Sequence, residues 1–301
     1  MASLELSDRI AGLPCWSSAI EISTLPGGMT NRNFLVVDRV GGRFVVRVGH
    51  DLPEHGVMRF NELSAARAAH AAGISPEVIH SADGMLVSRY IAGRTLGAAD
   101  VREVDNLVRV VDLVRRCHLD VPRYLRGPSL VFWPFQVIRN YLGLLAEAQG
   151  NPPCIDLAVL AMLAERAAWL ERELGPVDIV FGHNDLLAAN LIDDGDRLWL
   201  IDWDYAGFNS PLFDLANLSS NNAFTPELDR KLLDSYFAGA ASDSHARGLL
   251  AMKCTSLLRE LLWAAVSQRN SSIDFDYAAY AADYMARFET MWPQVRGELQ
   301  H

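Results

Sequence analysis

Between residues 181 and 205 the chain reads FGHNDLLAANLIDDGDRLWLIDWDY. Asp185 is followed five residues later by Asn190, and Asp202 ends the apolar run 198–201. An amide oxygen and a carboxylate suit a hard cation such as Mg²⁺, which takes oxygen ligands and shares its shell with substrate phosphates. A further carboxylate beside them can accept a proton from an attacking hydroxyl. The turn Asp193-Asp194-Gly195-Asp196 predicts a β-hairpin, with Asn190 and Asp202 near its open end and Asp185 on the loop that enters there. The turn acids read as ordinary surface residues. Asp202 does not, because a carboxylate between an apolar strand and Trp203 needs a partner. His183 reads as a loop-bracing hydrogen bonder rather than a base.

The elements that hold these groups fall into two regions. Up to residue 92 the pattern is strand-like, with β-rich runs at 19–25, 34–37, 44–48 and 85–91 and one Ala-rich helix at 58–72 stopped by Gly73. Beyond Gly93, amphipathic patterns near 100–119, 133–149, 155–174, 226–239, 245–268 and 276–297 predict helices, with the hairpin as the main β element. The expected architecture is α+β and bilobal: a small β-rich N-terminal lobe (1–92), a larger mainly helical C-terminal lobe (93–301), and the chemistry at the cleft.

Three features of the first region and its neighbours point the same way. The loop Gly27-Gly28-Met29-Thr30-Asn31-Arg32-Asn33 joins two strands, and its backbone N–H groups can cradle phosphate oxygens. Arg47 alternates with apolar residues on the third strand and Glu62 opens the following helix, a cation–carboxylate pairing that positions nucleotide phosphates. Trp203, Tyr205, Trp263, Tyr277 and Tyr280 supply aromatic faces that attract ammonium groups, and Glu260 lies three residues before Trp263 on the same helix face.

The whole chain narrows the field. Its net charge of −10, from 37 acids against 27 bases, argues against a nucleic-acid surface and is compatible with a cationic small substrate. Four scattered cysteines (Cys15, Cys117, Cys154, Cys254) lack metal-ligand spacing and read as reduced core residues. No run approaches the length of a membrane span, and the first residues carry acids where a signal peptide carries bases, so a soluble cytoplasmic protein is expected.

In this order, GGMTNRNF, RVG, HNDLLAAN, LIDWDYAGFNSPLFDLAN and SSIDFDYAAYA resemble the choline/ethanolamine kinase family, within the aminoglycoside phosphotransferase-like and protein-kinase-like fold; the resemblance spans about 25–290. It implies that Asp185 is the base and that Asn190 and Asp202 hold Mg²⁺ on ATP. It implies that Gly28, Thr30, Asn31 and Asn33 cover the phosphates, that Arg47 and Glu62 anchor them, and that adenine lies against Ser88, Tyr90 and Ile91. Asp204 supports a second metal or the substrate, Asp214 braces the catalytic loop, and Trp203, Tyr205, Asn221, Glu260, Trp263 and Tyr280 surround a cationic alcohol. The chain departs from eukaryotic choline kinases at Asn221, where they carry an acid, and at Glu260, where they carry a Trp. The second change favours a cation that donates hydrogen bonds. Choline or ethanolamine is the nearest substrate, an aminoglycoside- or thiamine-type alcohol is the alternative within the fold, and a regulatory pseudokinase is the alternative outside catalysis.

Overall fold

A computed structural model of the chain describes residues 2–26, 31–82, 84–147, 155–271 and 273–300; Gly28, Thr30 and Cys154 lie outside them. Helix α1 (Ala2–Ala11) precedes three antiparallel strands, β1 (Ile20–Leu25), β2 (Arg32–Asp38) and β3 (Arg43–Val48). Helix α2 (Arg59–Ala71) follows, then β4 (Val78–Ala82) and β5 (Met85–Arg89). The five strands form one antiparallel sheet in the order β1-β2-β3-β5-β4. Strand period two sorts its side chains. Phe34, Val36, Val46, Met85 and Val87 pack on one face with Ile10 and Leu13. The intervening Asn33, Val45, Arg47, Leu86 and Ser88 line a cavity on the other face, where Asn33, Arg47 and Leu86 sit in register across three strands.

Helix α2 approaches closely because its inner positions are small: Ala65, Ala66, Ala68 and Ala69 are all buried. Gly73 stops it at φ 73°, the left-handed conformation that glycine adopts without strain. Its Asn61 amide donates to Ala206 O at 2.7 Å and accepts from Leu130 N at 3.1 Å, fastening the helix to the region below.

That region runs through β6 (Arg94–Thr95), α3 (Ala98–Arg102), α4 (Val104–Leu119), α5 (Val121–Tyr124), α6 (Pro134–Ala146), α7 (Leu157–Leu174), β7 (Val180–Gly182), β8 (Leu191–Asp193), β9 (Leu198–Leu200) and β10 (Gly207–Asn209). It continues with α8 (Pro211–Asn221), α9 (Pro226–Tyr236), α10 (Asp243–Asn270) and α11 (Tyr277–Leu299). Helix α10 is buried on every side along most of its length, between α6, α7, α8 and α11, so it carries little amphipathic signal.

Several sequence expectations need adjustment. The helix expected at 100–119 is two helices, broken where Glu103 turns extended. Helix α8 and strand β4 were not expected. The hairpin is not the lone β element of its region: β6 adds a third strand to β8 and β9, and β7 pairs with β10. Strands of two or three residues are too short for an alternating pattern to show. Among the described residues no helix is long and apolar enough to cross a membrane. Of the described cysteines, Cys117 and Cys254 are buried, Cys15 is half-buried, and all three are free.

Candidate active site

The loop carrying Asp185 starts at Gly182, where a Cβ would come 2.8 Å from Asn184 Oδ1. Asp214 holds it. Placed in the first turn of α8, behind the Ser210 cap and Pro211, its Oδ2 accepts from His183 N at 2.8 Å and its Oδ1 from Asn184 N at 2.6 Å. His118 Nε2 donates to the same carboxylate at 2.9 Å. Burial alone would raise the Asp214 carboxyl, but the hydrogen bond and charge of His118 outweigh it and hold Asp214 below the usual range. Asn184 sits at φ 66° and its amide donates to Tyr205 O and Gly207 O, while Leu186 N donates to Asn217 Oδ1. His183 is fully buried, bonds to Ile201 O at 2.9 Å and is pushed toward its neutral form by burial, as its bracing role requires.

These contacts leave the Asp185 side chain on the cavity wall. Burial drives its carboxyl well above the usual range; Arg259, 4.0 Å away, opposes that shift, and Glu260 adds to it. A raised carboxyl is a stronger base once ionised.

Asn190 and Asp202 meet at the open end of the hairpin, where Ile201 N donates to Asn190 O at 3.0 Å. Asn190 Nδ2 donates to Asp185 O at 2.9 Å, which fixes the amide. Asp202 has φ 70°, an uncommon conformation for a residue with a side chain, and remains 31% exposed. Among the described residues no three His, Cys, Asp or Glu side chains converge as a metal site. The set available is one amide and one carboxylate, which fits a hard cation completed by phosphate oxygens and water.

Facing Asp202, Arg47 is shared by three carboxylates: Asp202 at 2.7 Å, Asp204 at 2.6 Å and Glu62 at 3.2 Å. Arg59 closes the figure, with Nη1 2.6 Å from Glu62 and 2.9 Å from Asp204. Asn31 Nδ2 adds a bond to Asp204 at 2.9 Å. Asp204, expected to support a second metal or the substrate, lines the cavity but is 1% exposed, and both arginines and Asn31, the latter expected to cover phosphate, engage its carboxylate. Further along the sheet, Ser88, Tyr90 and Ile91 line the same cavity, and Arg43 stacks on the Tyr90 ring at 4.0 Å.

At the opposite end lie Glu260 and Trp263. Glu260 Oε1 accepts from Arg259 at 2.5 Å and Oε2 from Tyr280 at 3.2 Å. Trp263 Nε1 donates to Tyr205 Oη at 2.8 Å, and the Arg259 guanidinium covers the Tyr205 ring at 4.4 Å. Beneath them His55 bonds to Tyr141 and Ser267 and is lowered to about 3 by burial and by Arg259. Two expected substrate residues stand back from this group. Asn221 accepts from Tyr284 Oη at 3.1 Å through its Oδ1 and is not among the cavity-lining residues. Trp203 lines the cavity, but its indole N–H donates to Ser75 and its ring packs on His183, on the hairpin side. Sequence reasoning missed Arg59, Asn184 and Arg259. An arginine next to Glu260 inside the apolar run of α10 was the available signal for the last of these.

Known proteins resemble this arrangement. A family model described as "Phosphotransferase enzyme family" matches residues 21–250. Ethanolamine kinase 2 of Rattus norvegicus is 28% identical over 275 residues, covering 83% of this chain and 70% of its own. Protein LicA of Haemophilus influenzae is 29% identical, covering 85% and 76%. The crystal structure of a choline/ethanolamine kinase family protein from Mesorhizobium loti superimposes with a TM-score of 0.78 at 28% identity, covering 100% and 98%.

Proposed function

The chain belongs to the phosphotransferase enzyme family, and on that premise we propose that it transfers the γ-phosphoryl group of ATP to the hydroxyl of a small amino alcohol. One observation carries this reading. A single cavity of about 590 Å³ is lined at one end by Arg47, Glu62 and Ser88, in the middle by Asp185, Asn190 and Asp202, and at the other end by Glu260 and Trp263.

Adenine lies in the slot beside Ser88, Tyr90 and Ile91, and Arg47 reaches the phosphates from the sheet. Its guanidinium binds oxyanions bidentately and stays charged, a role that Lys fills in protein kinases. Asn190 and Asp202 would hold Mg²⁺, which would neutralise charge on the transferring group. The alcohol enters from the Glu260 end with its hydroxyl toward Asp185. Asp185 accepts the hydroxyl proton as the oxygen attacks the γ-phosphorus in line and the bond to the β–γ bridging oxygen breaks, releasing ADP; the fixed loop keeps base and nucleophile aligned. The lobes 1–92 and 93–301 meet at Ala92-Gly93, where a Cβ on Gly93 would sit 2.6 Å from Asp193 O. The reaction belongs in the cytoplasm, where ATP is made and free cysteines persist.

The substrate is a primary amine of the ethanolamine type. Each Glu260 oxygen keeps acceptor capacity beyond its bond to Arg259 or Tyr280, and an N–H of an ammonium uses it while a quaternary nitrogen has none to give. Mass-spectrometric detection of the phosphorylated product from ethanolamine and choline, offered separately with Mg-ATP, tests this. Ethanolamine should be turned over with the higher kcat/KM. Turnover of an aminoglycoside with neither small amine accepted would overturn the reading.

A further inference from the structure

The closed ring of charges beneath the sheet contains a second arginine, to which the proposed reaction gives no role. Arg47, Glu62, Arg59 and Asp204 alternate in sign around it, and Arg47 alone also reaches Asp202. Glu62 and Asp204 are 3% and 1% exposed. When Arg47 turns toward phosphate, both carboxylates lose part of their compensation while remaining buried, a costly state for a charge. Arg59 Nη1 lies between them, 2.6 Å from one and 2.9 Å from the other. It is itself anchored from behind, with Nε donating to His50 O at 2.9 Å and its backbone N–H to Asp51 Oδ1 at 2.7 Å. Arg59 therefore does not need to move when Arg47 does.

We propose that Arg59 is a positioning residue of the nucleotide site: it holds Glu62 and Asp204 in place and neutralised, so that Arg47 can be released to the ATP phosphates. This rests on the nucleotide reading of the cavity. The ring also ties α2 and β3 to the segment after β9, so the same contact keeps the sheet in register with the hairpin.

The test is steady-state kinetics of Arg59→Met and Arg59→Lys, with Mg-ATP and the alcohol varied separately. Arg59→Met should raise the KM for ATP about tenfold or more, with kcat at saturation and the KM for the alcohol within about twofold. Arg59→Lys should recover most of the loss, because it keeps the charge between the two carboxylates. Asp204→Asn removes one of those carboxylates, so in an Arg59→Met/Asp204→Asn double variant the ATP penalty should fall well short of the sum of the singles. An unchanged KM for ATP in Arg59→Met overturns the inference, as does a rise of both KM values together or a Lys variant no better than Met. Should Arg59→Met fail to fold, Arg59→Lys and Asp204→Asn carry the same split, and additive ATP effects in their double variant count against it. Wild-type protein that neither binds nor consumes Mg-ATP would instead bring down the nucleotide reading, and this inference with it.

Discussion

Around the open end of the hairpin Asp185 and Asp202 sit on loops and strand ends, and Asp202 is still 31% exposed. At the end lined by Glu260 and Trp263, Arg259 and Glu260 are neighbours on a helix buried all round, 1% and 3% exposed. The first end is built for partners that come and go. Asp202 is held by Arg47, and Asn190 is oriented through a backbone carbonyl. The second end satisfies its own charges in advance, Arg259 against Glu260 and Glu260 against Tyr280, so a ligand there adds hydrogen bonds to a nearly neutral pair. Exchange of a highly charged ligand requires exposure, whereas discrimination between small amines requires a rigid, dry surface whose polar groups have one geometry.

The sharpest way to test this contrast is Asp185→Asn, which removes the proposed base beside both regions. We expect kcat to fall roughly 10²- to 10⁴-fold while isothermal titration still detects Mg-ATP, and we expect the variant to melt higher than the parent. The sign follows from the raised carboxyl: protons bind the folded state more tightly, so stability is lost as pH rises from the ordinary carboxylate range through the raised value. A neutral amide escapes that loss. For the same reason the acid limb of kcat/KM should lie above the ordinary carboxylate range. A variant that stays fully active would remove Asp185 from the base role.

Asp214→Ala attacks the support of the catalytic loop and should cost about 3–5 kcal/mol in urea unfolding, since two backbone N–H groups and His118 lose a buried partner. Its carboxyl is held low in the folded state, so the stability it contributes at neutral pH disappears as pH falls through the acid range. A loss near zero would mean that the loop is braced elsewhere.

Glu260→Gln tests the far end. The KM for ethanolamine should rise about tenfold, the equivalent of about 1.4 kcal/mol, with the KM for ATP nearly unchanged. Equal effects on both substrates would erase the distinction between the ends. The smallest effect belongs to Asp193→Asn on the hairpin turn, paired with Arg109 on a partly exposed surface. Stability should move by less than about 1 kcal/mol and activity not at all; a clear loss of activity would show that the turn takes part.

How much of this was legible in the sequence follows the same division. Asp185, Asn190 and Asp202 lie within eighteen residues of chain around one turn, so spacing and hairpin geometry sufficed to bring them together. The Arg47–Glu62 pair also followed from strand alternation and a helix start. Arg59 was hidden because its role depends on Asp204, 145 residues away, and no local pattern encodes that contact. Arg259 was hidden for a different reason: α10 is buried around most of its circumference, so periodicity could not say which face meets the cavity. Asn221 was expected at the substrate from the resemblance alone; in the structure its side chain bonds Tyr284 and does not line the cavity.

Asn61 carries a last consequence. By bonding both Ala206 and Leu130, it couples the opening of α2 to the breaking of contacts made by the helical region. Amide protons of α2 should then exchange with solvent as slowly as those of the helices below, in one cooperative unit, whereas β4 at the sheet edge exchanges early. On warming, such a molecule loses β4 first and keeps α2 until the whole chain melts.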